Sequence, residues 1–187
     1  MPRMEWNLPN TLTWTRIAAI PLIILLFYMP YPWADPAAGL LFAAAGVTDS
    51  LDGYFARRFG QISRLGAFLD PVADKLIVAV ALVLLVSKDR RGLIVLTAIV
   101  IIGREITISA LREWMAEIGA RRKVAVSQLG KYKTILQIIG LSMMLYRIPL
   151  LGLPIYWLGV GLTEIAAAAT LVSMVMYLRA AWPELRR

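Results

Sequence analysis

Apolar runs of bilayer-spanning length recur along these 187 residues, and this feature limits the possible folds most strongly. A transmembrane helix needs about 20 consecutive, mainly apolar residues. The runs and the turns between them predict six helices, at about 12–29, 35–58, 66–86, 93–114, 134–146 and 155–178. The mean hydropathy of +0.69 is far above that of an ordinary soluble domain. We therefore predict an all-α, polytopic membrane protein with six transmembrane helices in one domain, residues 1–187.

The N-terminal stretch MPRMEWNLPNT resembles a short interfacial segment, with Trp6 and Trp14 at the depth of the lipid headgroups. Asn10 or Thr11 is a candidate cap for the first span. Six spans would leave both termini on one side of the membrane. Most of the twenty Lys and Arg residues then lie on the side of the termini, and the exceptions are Lys88, Arg90, Arg91 and Arg147. The positive-inside rule makes the side of the termini cytoplasmic.

The composition excludes several kinds of chemistry. The sequence has no Cys and no His, so it offers no thiolate nucleophile, no Cys/His zinc site, no histidine base and no disulfide. The formal charge of +8 suggests anionic partners. Cytoplasmic loops beside anionic membrane lipids account for most of this charge, and the sequence contains no aromatic–basic nucleic-acid module. We therefore expect membrane lipids, and no nucleic acid, among the partners.

Four carboxylates lie inside or beside two of the most apolar runs, at Asp49, Asp52, Asp70 and Asp74. Ionisable groups at such depth are costly and mark a functional site by default. The spacings of three and four residues place each pair on one helix face. Because four converging carboxylates repel one another unless cations lie between them, the pattern predicts a site for two divalent ions. Oxygen ligands favour Mg²⁺ or Mn²⁺.

A different explanation of these acids is simple ion pairing. In that case the aspartates would pair with the nearby basic residues Arg57, Arg58, Arg64 and Lys75. Salt bridging does not require this regular pattern of carboxylates. A cation transporter is a further alternative, but its carboxylates should continue toward the far side of the membrane, whereas these lie near one face.

The complete spacing, Asp49-x2-Asp52-Gly53-x2-Ala56-Arg57-x8-Gly66-x3-Asp70-x3-Asp74, resembles the signature of the CDP-alcohol phosphatidyltransferase (CDP-alcohol phosphotransferase) family. The resemblance implies six transmembrane helices around a site for two divalent cations at the cytoplasmic face, in a bacterial inner membrane. It also implies that Asp49, Asp52 and Asp70 are metal ligands, and that Asp74 is the general base and a further ligand. The signature residues Gly53, Ala56, Arg57 and Gly66 would contact CDP-diacylglycerol.

Flanking segments resemble the members of that family that act on sn-glycerol 3-phosphate. These segments are PNTLTWTR, LGAFLDPVADKLIVAVALVLL, GREITISALREWMAEIG and GKYKT. The resemblance implies transfer of the phosphatidyl group of CDP-diacylglycerol to sn-glycerol 3-phosphate, which gives phosphatidylglycerol phosphate and CMP. Members that use inositol phosphate or phosphatidylglycerol as acceptor share much of the pattern. The family also suggests a homodimer.

Basic residues near the cytoplasmic end are candidates for binding the acceptor phosphate. Arg104 and Arg112 are eight residues apart, about two helical turns, and Lys131 and Lys133 lie at the entry to the fifth span. Ordinary cytoplasmic anchoring is the alternative for each. Other residues, namely Asn10, Thr13 and Arg16, would border the nucleotide or lipid entrance, although capping and snorkelling explain them almost as well. Glu105 and Glu113 are expected to pair with neighbouring Arg residues.

Overall fold

The computed structural model describes residues 8–59, 64–120 and 128–186, with side chains outside the description at 8–12, 49–59, 64–68 and 128–131. These residues form six helices and no strand, which confirms the all-α prediction. The helices are α1 (Leu8–Tyr28), α2 (Ala34–Phe59), α3 (Arg64–Lys88), α4 (Gly92–Glu117), α5 (Gln128–Tyr146) and α6 (Ile155–Leu185).

Several helices are longer than the apolar runs predict. Because α1 already includes Leu8, Asn10 and Thr11 lie inside it, and the prediction that one of them caps the helix is wrong. The start of α5 lies six residues before the predicted boundary, and α6 continues through Pro183 to Leu185. Polar residues continue a helix beyond its apolar run, so hydropathy alone underestimates the helix length.

Glycine allows the closest helix contacts. A Cβ atom on Gly159 of α6 would lie 2.7 Å from the carbonyl oxygen of Gly140 in α5, and a Cβ on Gly39 of α2 would lie 2.6 Å from the backbone nitrogen of Tyr146. Such distances exclude any larger side chain unless the backbone moves. Small residues therefore draw α5 against both α2 and α6, as is usual between membrane helices.

The remaining contacts complete the bundle. Helix α1 packs on α2 and α3, while α4 packs on α6 and, less extensively, on α3. All six helices contribute to one apolar core, with Phe27, Phe42, Leu85, Ile101 and Leu145 among its buried members. A second apolar cluster joins the last turns of α4 to the last part of α6. It holds α6 behind the part of α4 that carries the predicted basic residues.

Helix α4 ends in a Schellman motif. The Ala120 N–H donates to the carbonyl oxygen of Met115 at 2.8 Å, and the Gly119 N–H donates to that of Ala116 at 3.1 Å. Gly119 has a φ of +74°, which glycine adopts without strain. The chain therefore stops the helix a little more than one turn after Arg112.

The outer surface of the bundle is apolar. Large hydrophobic side chains on its outward faces are half exposed or more, among them Leu25, Leu40, Leu96, Ile99 and Ile165. Within the described residues, two helices are long and apolar enough to cross a membrane, α4 with a hydropathy of 2.0 and α6 with 1.7. The described apolar parts of α1 and α2 are shorter.

A compact polar cluster closes the end of the bundle where α3 ends and α4 begins. Arg91 donates to Asp89 through Nε at 2.8 Å, and Tyr156 donates its hydroxyl to the same carboxylate. The hydrogen bonds from Arg91 hold the pKa of the Asp89 carboxyl well below its usual range. Lys88 donates to the carbonyl oxygen of Phe27 at 2.7 Å. Lys88 and Arg91, two of the basic residues that the positive-inside rule does not explain, therefore have local partners.

Candidate active site

A cavity of about 520 Å³ lies in the half of the bundle where α3 begins and α4 ends. Five helices contribute to its lining. Asp70 and Asp74 of α3 form its acidic part, while Arg104 and Arg112 of α4 form its basic part. The structure therefore brings together two of the predicted metal ligands and two of the predicted phosphate-binding residues.

Helix α1 supplies hydrogen-bond partners for Asp70 and Asp74. The Thr13 hydroxyl donates to Oδ1 of Asp70, and Nη1 of Arg16 donates to Oδ1 of Asp74 at 2.5 Å. The Arg16 side chain is 1% exposed, whereas that of Asp74 is 39% exposed. Arg16 therefore does not snorkel to the surface. It holds one side of a carboxylate that remains accessible from the cavity.

The structure describes the side chains of two of the four predicted metal ligands. Asp70 and Asp74 lie one turn apart on the cavity lining, and their carboxylate oxygens are ligands that Mg²⁺ and Mn²⁺ accept. Asp49 and Asp52 lie in α2, one and two turns after Ala45, which also lines the cavity, but their side chains are outside the description. Among the described side chains, no three acidic groups cluster as a metal site. The two visible carboxylates fit the predicted ions.

Most of the residues predicted to bind CDP-diacylglycerol are also outside the described side chains. Gly53, Ala56 and Arg57 belong to the last two turns of α2, Gly66 to the first turn of α3, and Asn10 to α1. Thr13 is the described member of the set. It is buried, and its hydroxyl serves Asp70.

Helix α6 holds the two arginines of the cavity. Arg104 donates through Nη2 to the Ser173 hydroxyl at 2.9 Å, and Arg112 donates through Nη2 to the Tyr177 hydroxyl at 3.0 Å. The Tyr177 ring centre lies 5.9 Å from the guanidinium carbon of Arg104 and 5.0 Å from that of Arg112. The ring thus contacts both cations, a favourable cation–π arrangement. Both arginines therefore line one cavity, as their spacing of about two turns on one helix suggests.

Glu105 joins the basic part of the cavity to α5. Its Oε1 accepts from Nη1 of Arg104 at 2.8 Å and from Nζ of Lys133 at 3.1 Å. This confirms the expected pairing of Glu105 with a neighbouring arginine. The same expectation for Glu113 is wrong, because Glu113 makes no ion pair within the described part of the chain. Lys133, predicted to bind the acceptor phosphate, has its ammonium against Glu105 and reaches the cavity through that carboxylate. The side chain of Lys131 lies outside the description.

Sequence reasoning placed Arg16 at the nucleotide or lipid entrance but missed its contact with Asp74. Arg16 carried a usable signal, because a charge inside an apolar run marks function by default, but its depth also suits snorkelling. Three further residues of the site were missed. Gln137 lines the cavity and is buried, while Ser173 and Tyr177 support the arginines from α6. No motif marks these three residues, since their roles arise from helix packing.

Comparison with known proteins agrees with the signature. The model of the CDP-alcohol phosphatidyltransferase family matches residues 6–179. The protein named CDP-diacylglycerol–glycerol-3-phosphate 3-phosphatidyltransferase from Escherichia coli strain K12 is 48% identical over 185 residues, or 97% of this chain and 98% of that protein. Proteins of the same name from Escherichia coli O157:H7 and Shigella flexneri serotype 5b show the same identity and coverage.

Proposed function

Because this chain belongs to the CDP-alcohol phosphatidyltransferase family, we propose that it transfers the phosphatidyl group of CDP-diacylglycerol to sn-glycerol 3-phosphate. The products are phosphatidylglycerol phosphate and CMP, the reaction of a phosphatidylglycerophosphate synthase. One observation carries the proposal: signature carboxylates and two arginines line the same cavity. The carboxylates suit metal-assisted transfer, and the arginines suit an acceptor that itself carries a phosphate.

The acceptor phosphate is assigned to Arg104 and Arg112. A guanidinium group matches the geometry of phosphate oxygens, and it is charged at every relevant pH. Each arginine donates one Nη hydrogen bond to a side chain of α6. The Nε of each is buried without a hydrogen-bond partner in the described part of the chain. Donors without a protein partner favour an anionic ligand here. Lys131 and Lys133 complete the proposed basic surroundings of the phosphate.

Asp74 is assigned as the general base. Its carboxylate is accessible from the cavity, and Arg16 fixes its other side, so its orientation is set before the substrate binds. In the proposed reaction it accepts the proton of the acceptor's 1-hydroxyl. That oxygen forms a bond to the phosphorus carrying diacylglycerol, while the bond from that phosphorus to the CMP oxygen breaks. CMP leaves with the electron pair of the broken bond.

Asp49, Asp52, Asp70 and Asp74 would hold two Mg²⁺ or Mn²⁺ ions, which when bound would neutralise the pyrophosphate charge and the charge developing on CMP. Thr13 supports this assignment, because its hydrogen bond orients the Asp70 carboxylate from α1. The cytidine diphosphate part is assigned to Gly53, Ala56, Arg57 and Gly66, with Asn10 and Thr13 near the entrance. Removal of divalent ions is therefore expected to abolish turnover.

Aromatic side chains at the two ends of the bundle support its placement in a membrane. Half-exposed aromatic residues near the cavity end include Trp14 and Trp182, and those near the opposite end include Tyr28 and Trp157. The helix rise of 1.5 Å per residue separates Trp14 from Tyr28 by about 21 Å along α1, and Trp157 from Trp182 by about 37 Å along α6. Aromatic side chains flanking an apolar band of this size are typical of bilayer interfaces. We infer six spans in a bacterial inner membrane, with the cavity facing the cytoplasm.

The first experiment measures CMP release by the purified protein in CDP-diacylglycerol micelles with Mg²⁺, with and without glycerol 3-phosphate. We expect release that depends on glycerol 3-phosphate and stops with EDTA. Release only with inositol phosphate or phosphatidylglycerol would keep the chemistry and overturn the acceptor. No release with any acceptor from a folded preparation would overturn the proposed activity.

The role of Asp74 has its own test. The Asp74→Asn variant keeps the size of the side chain but lacks the basic carboxylate, so turnover should fall by at least about 100-fold. Binding of CDP-diacylglycerol, measured by retention of the labelled lipid, should remain detectable. Full activity in this variant would exclude Asp74 as the base.

A further inference from the structure

Gln137 of α5 lies on the cavity lining, and its side chain has no hydrogen-bond partner among the described residues. It is 4% exposed, and its amide makes no hydrogen bond within the described part of the chain. Some other polar groups of the lining have protein partners: Arg16 donates to Asp74, and the Ser109 hydroxyl donates to the carbonyl oxygen of Glu105 at 2.6 Å. Gln137 is therefore an unused hydrogen-bonding group inside the proposed substrate cavity.

Burial of a primary amide without a partner is unfavourable. The Gln137 amide is not among the fully buried unpaired polar atoms of the described chain, so it faces the cavity. At 4% exposure it keeps few hydrogen bonds to water, and an apolar side chain of the same size would cost less. The residues that follow Gln137 on α5 pack into the apolar core, with Ile138 packed against the core and Leu141 fully buried. A leucine would suit this position better in a purely structural role. The amide therefore indicates a ligand group that completes its hydrogen bonds.

The proposed acceptor leaves one group unassigned. Of the polar groups of glycerol 3-phosphate, the 1-hydroxyl is assigned to Asp74 and the phosphate to Arg104 and Arg112. The remaining group is the 2-hydroxyl, which both donates and accepts, as a primary amide does. Gln137 lies one helical turn beyond Lys133, whose ammonium contacts Glu105 on the same cavity. The Gln137 amide therefore lies near the basic part of the lining and is itself uncharged.

We propose that Gln137 hydrogen-bonds the 2-hydroxyl of the acceptor and selects phosphorylated vicinal diols over phosphorylated simple alcohols. The inference rests on the proposed transfer to glycerol 3-phosphate. An acceptor without the 2-hydroxyl would leave the amide unpaired, and sites of this kind discriminate strongly against the analogue that lacks the group. In this proposal the Gln137 side chain selects the acceptor by its 2-hydroxyl, whereas Arg104 and Arg112 bind its phosphate.

The test compares two acceptors in each of three proteins. Glycerol 3-phosphate and 3-hydroxypropyl phosphate, which lacks only the 2-hydroxyl, are given to the wild type, to Gln137→Leu and to the control Ser142→Ala. Ser142 lies on the same helix, but its hydroxyl already donates to the carbonyl oxygen of Ile138 at 2.7 Å. The measured quantity is the ratio of kcat/KM for the two acceptors. Because both values come from one preparation, the fraction of active protein cancels.

The wild type and Ser142→Ala should prefer glycerol 3-phosphate by about 10- to 100-fold, and Gln137→Leu by roughly threefold or less. An equal preference in the wild type and Gln137→Leu would overturn the assignment. A rise in KM for CDP-diacylglycerol alone would also overturn it, because Gln137 would then serve the donor. Wild-type protein without activity on glycerol 3-phosphate would refute the proposed function itself, a failure that does not depend on either variant.

Discussion

Loss of the Glu105 charge should destabilise the protein strongly, because this carboxylate separates two buried cations. The side chains of Arg104 and Lys133 are 6% and 4% exposed, and Oε1 of Glu105 accepts from both. In Glu105→Gln the side chain keeps an oxygen acceptor, but the two cations face each other without a negative charge between them. Glu105 itself is 28% exposed, so water screens the two buried cations only in part.

The magnitude follows from the burial of the two cations and the partial burial of Glu105. Removing one partner of a buried ion pair costs about 3–5 kcal/mol when the remaining charge is left uncompensated. The glutamine keeps one hydrogen-bond acceptor and the site is partly hydrated, so a smaller loss of about 2–4 kcal/mol is expected. For a domain of this size the melting temperature should fall by roughly 5–15 °C.

Thermal unfolding in detergent, followed by far-ultraviolet circular dichroism, measures the effect. Glu113→Gln is the matched control, because Glu113 lies two turns further on α4, is exposed and makes no ion pair in the described part of the chain. Its melting temperature should change by about 2 °C or less. Adding Lys133→Met to Glu105→Gln should recover part of the loss, since one of the facing cations is gone. Equal melting temperatures for the two single variants would refute the reasoning.

Two further predictions concern α6 and the opposite end of the bundle. In Tyr177→Phe, Arg112 loses a hydrogen-bond acceptor. In a steady-state assay, KM for glycerol 3-phosphate should therefore rise by about 3- to 10-fold, while KM for CDP-diacylglycerol stays unchanged. The control Tyr132→Phe, at an exposed site, should change neither KM. Hydrogen bonding to Arg91 depresses the pKa of Asp89, so this carboxylate adds stability above its ordinary pKa and loses the contribution as the pH falls. The wild type should therefore melt above Asp89→Asn at pH 7 and approach it below about pH 4; a constant difference would contradict this interpretation.

The sequence predicted the parts of the site that depend on spacing along one helix. Asp70 and Asp74 are four residues apart, and Arg104 and Arg112 are eight apart, so helix periodicity alone places each pair on one face. The structure confirms both placements on one cavity. Six helices also followed from the apolar runs, although their ends did not, because polar turns extend the helices past the apolar residues.

Contacts between helices were not predictable in the same way. The pairing of Arg16 with Asp74 joins residues 58 positions apart, and that of Arg112 with Tyr177 joins residues 65 apart. Each contact depends on the rotation of one helix against another, which close packing at positions such as Gly159 determines. A single sequence does not specify these rotations. The supporting residues of the site therefore became visible only in the folded bundle.

The supporting contacts divide the site between two helices. Helix α1 holds the acidic part, through Arg16 on Asp74, and α6 holds the basic part, through Tyr177 on Arg112. If the acidic part carries the proton transfer and the basic part binds the acceptor phosphate, damage to the two supports should have different kinetic effects. Loss of the α1 contact should lower kcat, because the base loses its orientation, whereas loss of the α6 contact should raise KM for the acceptor. Proton transfer and binding of the acceptor phosphate thus depend on different helices, although both occur in one cavity.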